Sequence, residues 1–175
     1  MFGILGSEWY KTYPLEKMAK IIDFAVAKLN AEILFNYIPS QADDAQKIYD
    51  FCDKKTQKNI HFNLYAKGLR PFLGLLSQCD MLIGNEGGAV NMAKALSIRT
   101  FSLFSPSVDK ETWQIFENDK ENVSIHLKDL KPEIYQEFDE KYIKEHTFKY
   151  FDEYPLELIL EKLETYFVAL GYLKN

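Results

Sequence analysis

Short apolar runs alternate with stretches of helical periodicity along most of the chain. Residues 2–5 form an apolar run closed by Gly6 and Ser7, the length of a buried strand. Pro14 marks a helix start, because its fixed φ suits the first helical turn. Beyond it Leu15, Met18, Ile22, Ala25 and Leu29 recur at steps of three and four, with Lys17, Lys20 and Lys28 between them. That spacing draws one apolar stripe along a solvated helix, and the stripe should pack on a sheet.

The pattern then repeats. Residues 31–35 read as a second strand and 36–41 as its exit loop; 42–53 read as a helix with Ala45, Ile48, Tyr49 and Cys52 on one side. Residues 61–65 are expected to be a third, weaker strand, 69–78 a helix, 81–83 a short fourth strand and 88–96 another helix. Residues 100–104, rich in β-branched and aromatic side chains, predict a fifth strand, and 123–127 a sixth. Strands separated by helices of this length imply right-handed crossovers and a parallel sheet covered on both faces: an α/β, doubly wound, Rossmann-like architecture. No internal repeat is present.

The character changes after Lys128. The stretch 128–154 is charge-rich yet carries Tyr135, Phe138, Tyr142, Phe148, Tyr150, Phe151 and Tyr154, too many aromatics for a disordered linker. Either these rings cover the core, or some form a patch that docks another surface. Pro155 opens a final helix in which Leu156, Ile159, Leu160, Leu163, Phe167 and Leu170 share a face, ending near Gly171. Residues 1–127 are therefore expected to be the Rossmann-like unit and 128–175 an extension packing on it.

A length of 175 residues and 47% apolar content suit one globular domain and exclude collagen-like, disordered and disulfide-scaffold classes. With 21 basic against 26 acidic residues the formal charge is −5, so no general field attracts nucleic acid or an anionic membrane, and any phosphate must be bound locally. Cys52 and Cys79 are isolated and sit among apolar or helical residues, as buried thiols in a reducing compartment would. The N-terminus lacks the pattern of a signal peptide, and the expected localisation is cytoplasmic.

The chain has no Gly-x-Gly-x-x-Gly after its first strand, no P-loop, no His-Glu-x-x-His and no Gly-x-Ser-x-Gly. His61, His126 and His146 lack neighbours at ligand spacing, and no Asp-x-Asp is present to hold a divalent ion against a diphosphate; no metal is expected. The densest signal is residues 79–96, where a short strand enters the polar turn Asn85-Glu86-Gly87-Gly88 and then an Ala-rich helix. Backbone N–H groups at such a helix start can face an anion, the glycines permit close approach, and Asn91 projects near the same crevice. The competing reading is a plain strand-to-helix turn in which Asn85 or Glu86 caps the helix.

This stretch resembles the glycosyltransferase family 9 heptosyltransferases, whose C-terminal half carries an Asp-(Ser/Thr)-Gly-x-x-His-Leu-Ala-like motif opening an Ala-rich helix, followed by a strand ending in Leu-Phe-Gly-Pro. Glu86-Gly87-Gly88-Ala89-Val90-Asn91-Met92-Ala93 stands at the first motif and Leu103-Phe104-Ser105-Pro106-Ser107 at the second. Upstream, Lys11-Thr12-Tyr13-Pro14 is similar to the family's Lys-Arg-Trp-Pro element. The resemblance spans about residues 1–107 and implies the donor-binding half of a glycosyltransferase-B fold. It implies a donor site in which Lys11 and Ser7 meet the diphosphate, Glu86 holds the sugar hydroxyls, and Asn85, Gly87, Gly88 and Asn91 complete the cradle. Ser40 and Gln41 fall where the family's second crossover loop approaches the nucleoside. The implied substrate is ADP-heptose or another nucleoside diphosphate sugar, bound without cofactor.

Two substitutions depart from the family: Asn91 replaces its histidine, removing a cation beside the phosphates, and Glu86 replaces its aspartate, lengthening the carboxylate by one methylene. The family also places its acceptor half, with the catalytic base, before the donor half. No catalytic residue is therefore expected in this chain, which reads as an excised or truncated domain. Its expected partners are the nucleotide sugar and either the missing acceptor half or a second copy, met through the C-terminal aromatic segment. Nucleic acid is not expected, and a membrane-borne acceptor would be reached only through the absent half. Two alternatives remain open: a noncatalytic nucleotide-sugar-binding or interaction module, and half of a sugar-nucleotide epimerase.

Overall fold

The computed structural model describes residues 1–118 and 120–174; Asp119, within the expected 1–127 unit, and Asn175, the end of the extension, lie outside them. Five parallel strands form one sheet: β1 (Phe2–Gly3), β2 (Phe35–Asn36), β3 (Met81–Asn85), β4 (Arg99–Leu103) and β5 (Asn122–Ile125), in the order β2-β1-β3-β4-β5. Phe2 pairs with Phe35 on one side and with Ile83 on the other, so the strand order reverses direction at β1. The expected α/β doubly wound fold is present.

Alternation along β3 divides the core between the two faces of the sheet. Met81 and Ile83 join Phe2, Phe101, Leu103 and Ile125 under α1 (Leu15–Leu29) and α2 (Ala42–Phe51). Leu82 points the other way, into a smaller cluster with Phe72 and Leu76 of α4 (Leu69–Leu76) and Val90 and Ala93 of α5 (Gly88–Ala95). A one-turn helix, α3 (Lys54–Gln57), follows α2. Strands β1 and β3 lie so close that a Cβ on Gly84 would stand 2.2 Å from the Gly3 carbonyl oxygen, which restricts that position to glycine.

Three expectations need correction. The run 61–65 is not a strand: an isolated parallel bridge joins Ile33 to Ile60 just before it, and the Leu64 N–H then turns back to the His61 carbonyl at 3.0 Å. Its aromatics serve packing instead, Phe62 against Tyr37 and Tyr49, and Tyr65 stacked on Tyr37 at 5.2 Å. The second strand pairs only from Phe35, two residues after that bridge. The first ends at Gly3, because the Asn85 side-chain amide donates to the Gly3 carbonyl at 3.1 Å and takes the place of a further rung.

After β4 come α6 (Lys110–Trp113) and β5, and then four helices: α7 (Pro132–Glu137), α8 (Glu140–Glu145), α9 (Thr147–Asp152) and α10 (Leu156–Ala169). Phe151 and Tyr154 are buried in the main core with Ile159, Leu163, Tyr166 and Phe167 of α10. Tyr13 meets Phe151 and Tyr154 edge to face, and Lys17 of α1 reaches Asp152 at 2.9 Å. Tyr150 closes a third cluster with Leu127 and Ile143. Phe148 stays exposed, stacked on Trp9. Helix α10 stops as expected, with the Gly171 and Tyr172 N–H groups returning to Val168 and Phe167 at 2.9 Å.

Candidate functional site

In a parallel sheet the crevice for a ligand opens at the carboxyl ends of the strands where their order reverses. Here that crevice lies between the segment after β1, residues 6–14, and the turn after β3, residues 86–88. The first is pinned from several directions. Gly6 N–H donates to Thr12 Oγ1 at 3.0 Å, and Thr12 Oγ1 donates to the Glu8 carbonyl at 3.1 Å. The Tyr10 carbonyl accepts from Ser105 Oγ at 2.5 Å and Thr147 Oγ1 at 3.4 Å, tying the loop to the end of β4 and to α9. The Tyr13 N–H donates to Asn85 Oδ1 at 2.7 Å, tying it to β3.

These bonds set the Lys11 ammonium 3.4 Å from Glu86 Oε1 across the crevice. The Glu86 side chain is only 6% exposed, whereas that of Lys11 is 24% exposed. Glu86 Oε1 is buried without a directed hydrogen bond, so the carboxylate is held by charge and is poorly satisfied in hydrogen-bonding terms. Its own backbone N–H is fixed to the Leu103 carbonyl at 2.9 Å.

Gly87 follows with φ of +151°, a conformation that side chains resist, and serves as the N-terminal boundary of α5. No side chain caps this helix, so the capping role considered for Asn85 and Glu86 does not occur. Its first-turn N–H groups, beginning at Gly88, are left to face the crevice end of the sheet. Asn91 sits half-buried one turn further in.

The site residues expected from sequence thus fall into two groups. Lys11, Glu86, Gly87 and Gly88 meet at the crevice, with Asn91 behind them. Asn85 and Gln41 work as fasteners: Asn85 bonds Gly3 and Tyr13, and Gln41 donates to the Gly6 carbonyl at 2.8 Å while accepting from the Ile38 N–H at 3.1 Å. Ser7 and Ser40 are exposed on the two loops that this Gln41 bond joins, with no side-chain hydrogen bond among the described residues.

Sequence reasoning did not single out the residues that position Lys11. Ser105 lies in the Leu-Phe-Ser-Pro-Ser element, which carried a signal; Thr147, far along the chain, carried none. His126 is buried between two partners, with Nε2 on the Val108 carbonyl and Nδ1 accepting from the Lys128 N–H, both at 3.0 Å. Among the described residues no group of His, Cys, Asp and Glu is arranged to hold a metal ion. Cys52 and Cys79 are free thiols, and burial pushes the Cys52 thiol up to about 12. Among the described residues no helix is long and apolar enough to cross a membrane. Comparison with protein-family models, with curated proteins and with solved structures returns no match.

Proposed function

We propose that the chain is the donor-binding domain of an inverting, heptosyltransferase-like glycosyltransferase of lipopolysaccharide-type synthesis, holding a nucleoside diphosphate sugar in the crevice between β1 and β3. The observation that carries this reading is the Lys11–Glu86 pair, 3.4 Å apart at the point where the strand order reverses. The ammonium suits a diphosphate as a point charge, and the uncapped start of α5 adds backbone donors beside it. The buried Glu86 oxygen is an acceptor that a sugar hydroxyl would satisfy. In transfer, the nucleotide diphosphate leaves with its charge stabilised by Lys11 and the helix start, while an acceptor hydroxyl loses its proton to a base outside this chain.

Calorimetric titration with ADP, UDP and ADP-heptose tests the reading. One nucleotide should bind saturably, and both Lys11→Ala and Glu86→Gln should weaken the sugar nucleotide about tenfold or more, as expected when a charged hydrogen-bonding partner is lost. A folded chain that binds none of the three overturns it. The exposed Trp9–Phe148 stack supports the second reading, an interaction module, which would then stand ahead.

A further inference from the structure

We infer that the cavity between the segment after β1 and helix α8 is a binding site for an acidic saccharide unit, separate from the nucleotide crevice but sharing Lys11 as a wall. The cavity holds about 470 Å³ and is lined by Tyr10, Lys11, Ser107, Trp113, Glu140 and Lys144, with Val108, Asp109 and Lys141 completing it. It is open to solvent on one side, and its volume lies within the range of small-molecule sites.

Its chemistry is mixed in a way that discriminates. Glu140 and Lys144 stand four apart on α8, the spacing at which a helix normally closes an ion pair, yet no such pair forms. The Lys144 ammonium instead lies over the Tyr10 ring, 3.9 Å from its centroid. Glu140 is left as an open acceptor, and neither Lys141 nor Lys144 has a carboxylate partner among the described residues. Trp113, 48% exposed, lines the same cavity.

An aromatic face suits the C–H side of a pyranose ring, and a carboxylate accepts its hydroxyls. Two ammonium groups bind one attached carboxylate or phosphate by charge-assisted hydrogen bonds. The carboxylates of Asp109 and Glu140 at the same cavity oppose a more highly charged nucleoside diphosphate, which favours an acidic monosaccharide over a second nucleotide.

The protein contains two tryptophans, Trp9 and Trp113, and only Trp113 lines this cavity, so the two indole N–H resonances report it directly. The chain is titrated with galacturonate and with glucose 6-phosphate, which separate a carboxylate from a phosphate as the recognised anion, with neutral galactose as control. Trp113→Phe assigns the resonances. At least one acidic sugar should move the Trp113 signal saturably, and by more than that of Trp9, whose ring meets the cavity's Tyr10 edge to face at 5.7 Å; neutral galactose should bind about tenfold more weakly, and Lys144→Ala should weaken the acidic sugar by a similar factor. Equal binding of the neutral sugar, or no shift at Trp113 with either acid, overturns the inference. ADP is titrated alongside: ADP binding without acidic-sugar binding leaves the nucleotide reading intact and removes this one, and acidic-sugar binding without ADP does the reverse.

Discussion

Two buried polar side chains of this molecule meet different surroundings. Glu86 lies 3.4 Å from the Lys11 ammonium. At His126, 1% exposed, the ring is kept neutral: burial first, with Lys110 and Lys128 nearby adding to it, lowers its pKa from 6.5 to about 4. The neutral ring fits its surroundings, one nitrogen on the Val108 carbonyl and the other accepting from Lys128. Above pH 6.5 folded and unfolded chains both hold the imidazole neutral, so its contribution to stability is complete. As pH falls below 6.5 the unfolded chain takes up a proton that the fold resists, and stability is lost until about 4, where the fold protonates too. The full difference is about 3 kcal/mol, following from the size of that shift. Urea unfolding of the wild type and His126→Gln should therefore show the wild type losing more stability between neutral pH and 4.5, and the ring proton signals of His126 should titrate with a midpoint well below 6. A midpoint near the ordinary histidine value would overturn this account.

Among elements, the turn from β3 into α5 sets a glycine of positive φ directly before one that opens a helix. Gly87 and Gly88 are adjacent in sequence but opposite in demand. Gly87 sits at φ of +151°, where open space does not help because the backbone itself is strained for any side chain. Gly88 is the first residue of the helix, and a Cβ there would meet only the end of Met92 at 3.8 Å. Gly87→Ala should cost about 1–3 kcal/mol, whereas Gly88→Ala should be neutral or stabilise by up to about 1 kcal/mol through the smaller backbone entropy of alanine. Chemical denaturation of the two variants checks the contrast, and equal losses at both would contradict it. The glycine pair itself was visible in the sequence, as were β3, β4, the amphipathic helices and the α/β order, because period and length separate these elements locally. The false strand at 61–65 was not distinguishable, since Phe62 and Leu64 satisfy an alternating pattern whether or not the run pairs, whereas Phe62 and Tyr65 in fact stack on Tyr37. The fastening role of Asn85 was hidden for a related reason: its partners, Gly3 and Tyr13, become neighbours only once β1 lies beside β3.

On the scale of the whole molecule, the C-terminal extension is part of the core that carries the site. Ile159, Leu163 and Phe167 of α10 are fully buried, and Phe151 and Tyr154 pack against Tyr13, the residue that follows the Lys11 turn. Thr147 reaches the Tyr10 carbonyl, so the extension also helps to fix the loop that bears Lys11. Each large apolar side chain exposed by its removal forfeits about 1.5–3 kcal/mol, and several such losses together exceed the roughly 5–15 kcal/mol by which a domain is stable. The sheet-forming residues 1–127 should therefore fail to hold a fixed tertiary structure when expressed alone, despite containing all five strands. Near-ultraviolet circular dichroism should be lost and a hydrophobic dye should bind, while some helical signal persists. Adding residues 128–174 in trans should not be needed if this is wrong: a shortened chain with a dispersed amide spectrum and cooperative unfolding would mean that α1, α2 and the sheet already form a sufficient core. It would also mean that the extension serves the site by positioning Tyr10 and Lys11 rather than by completing the fold.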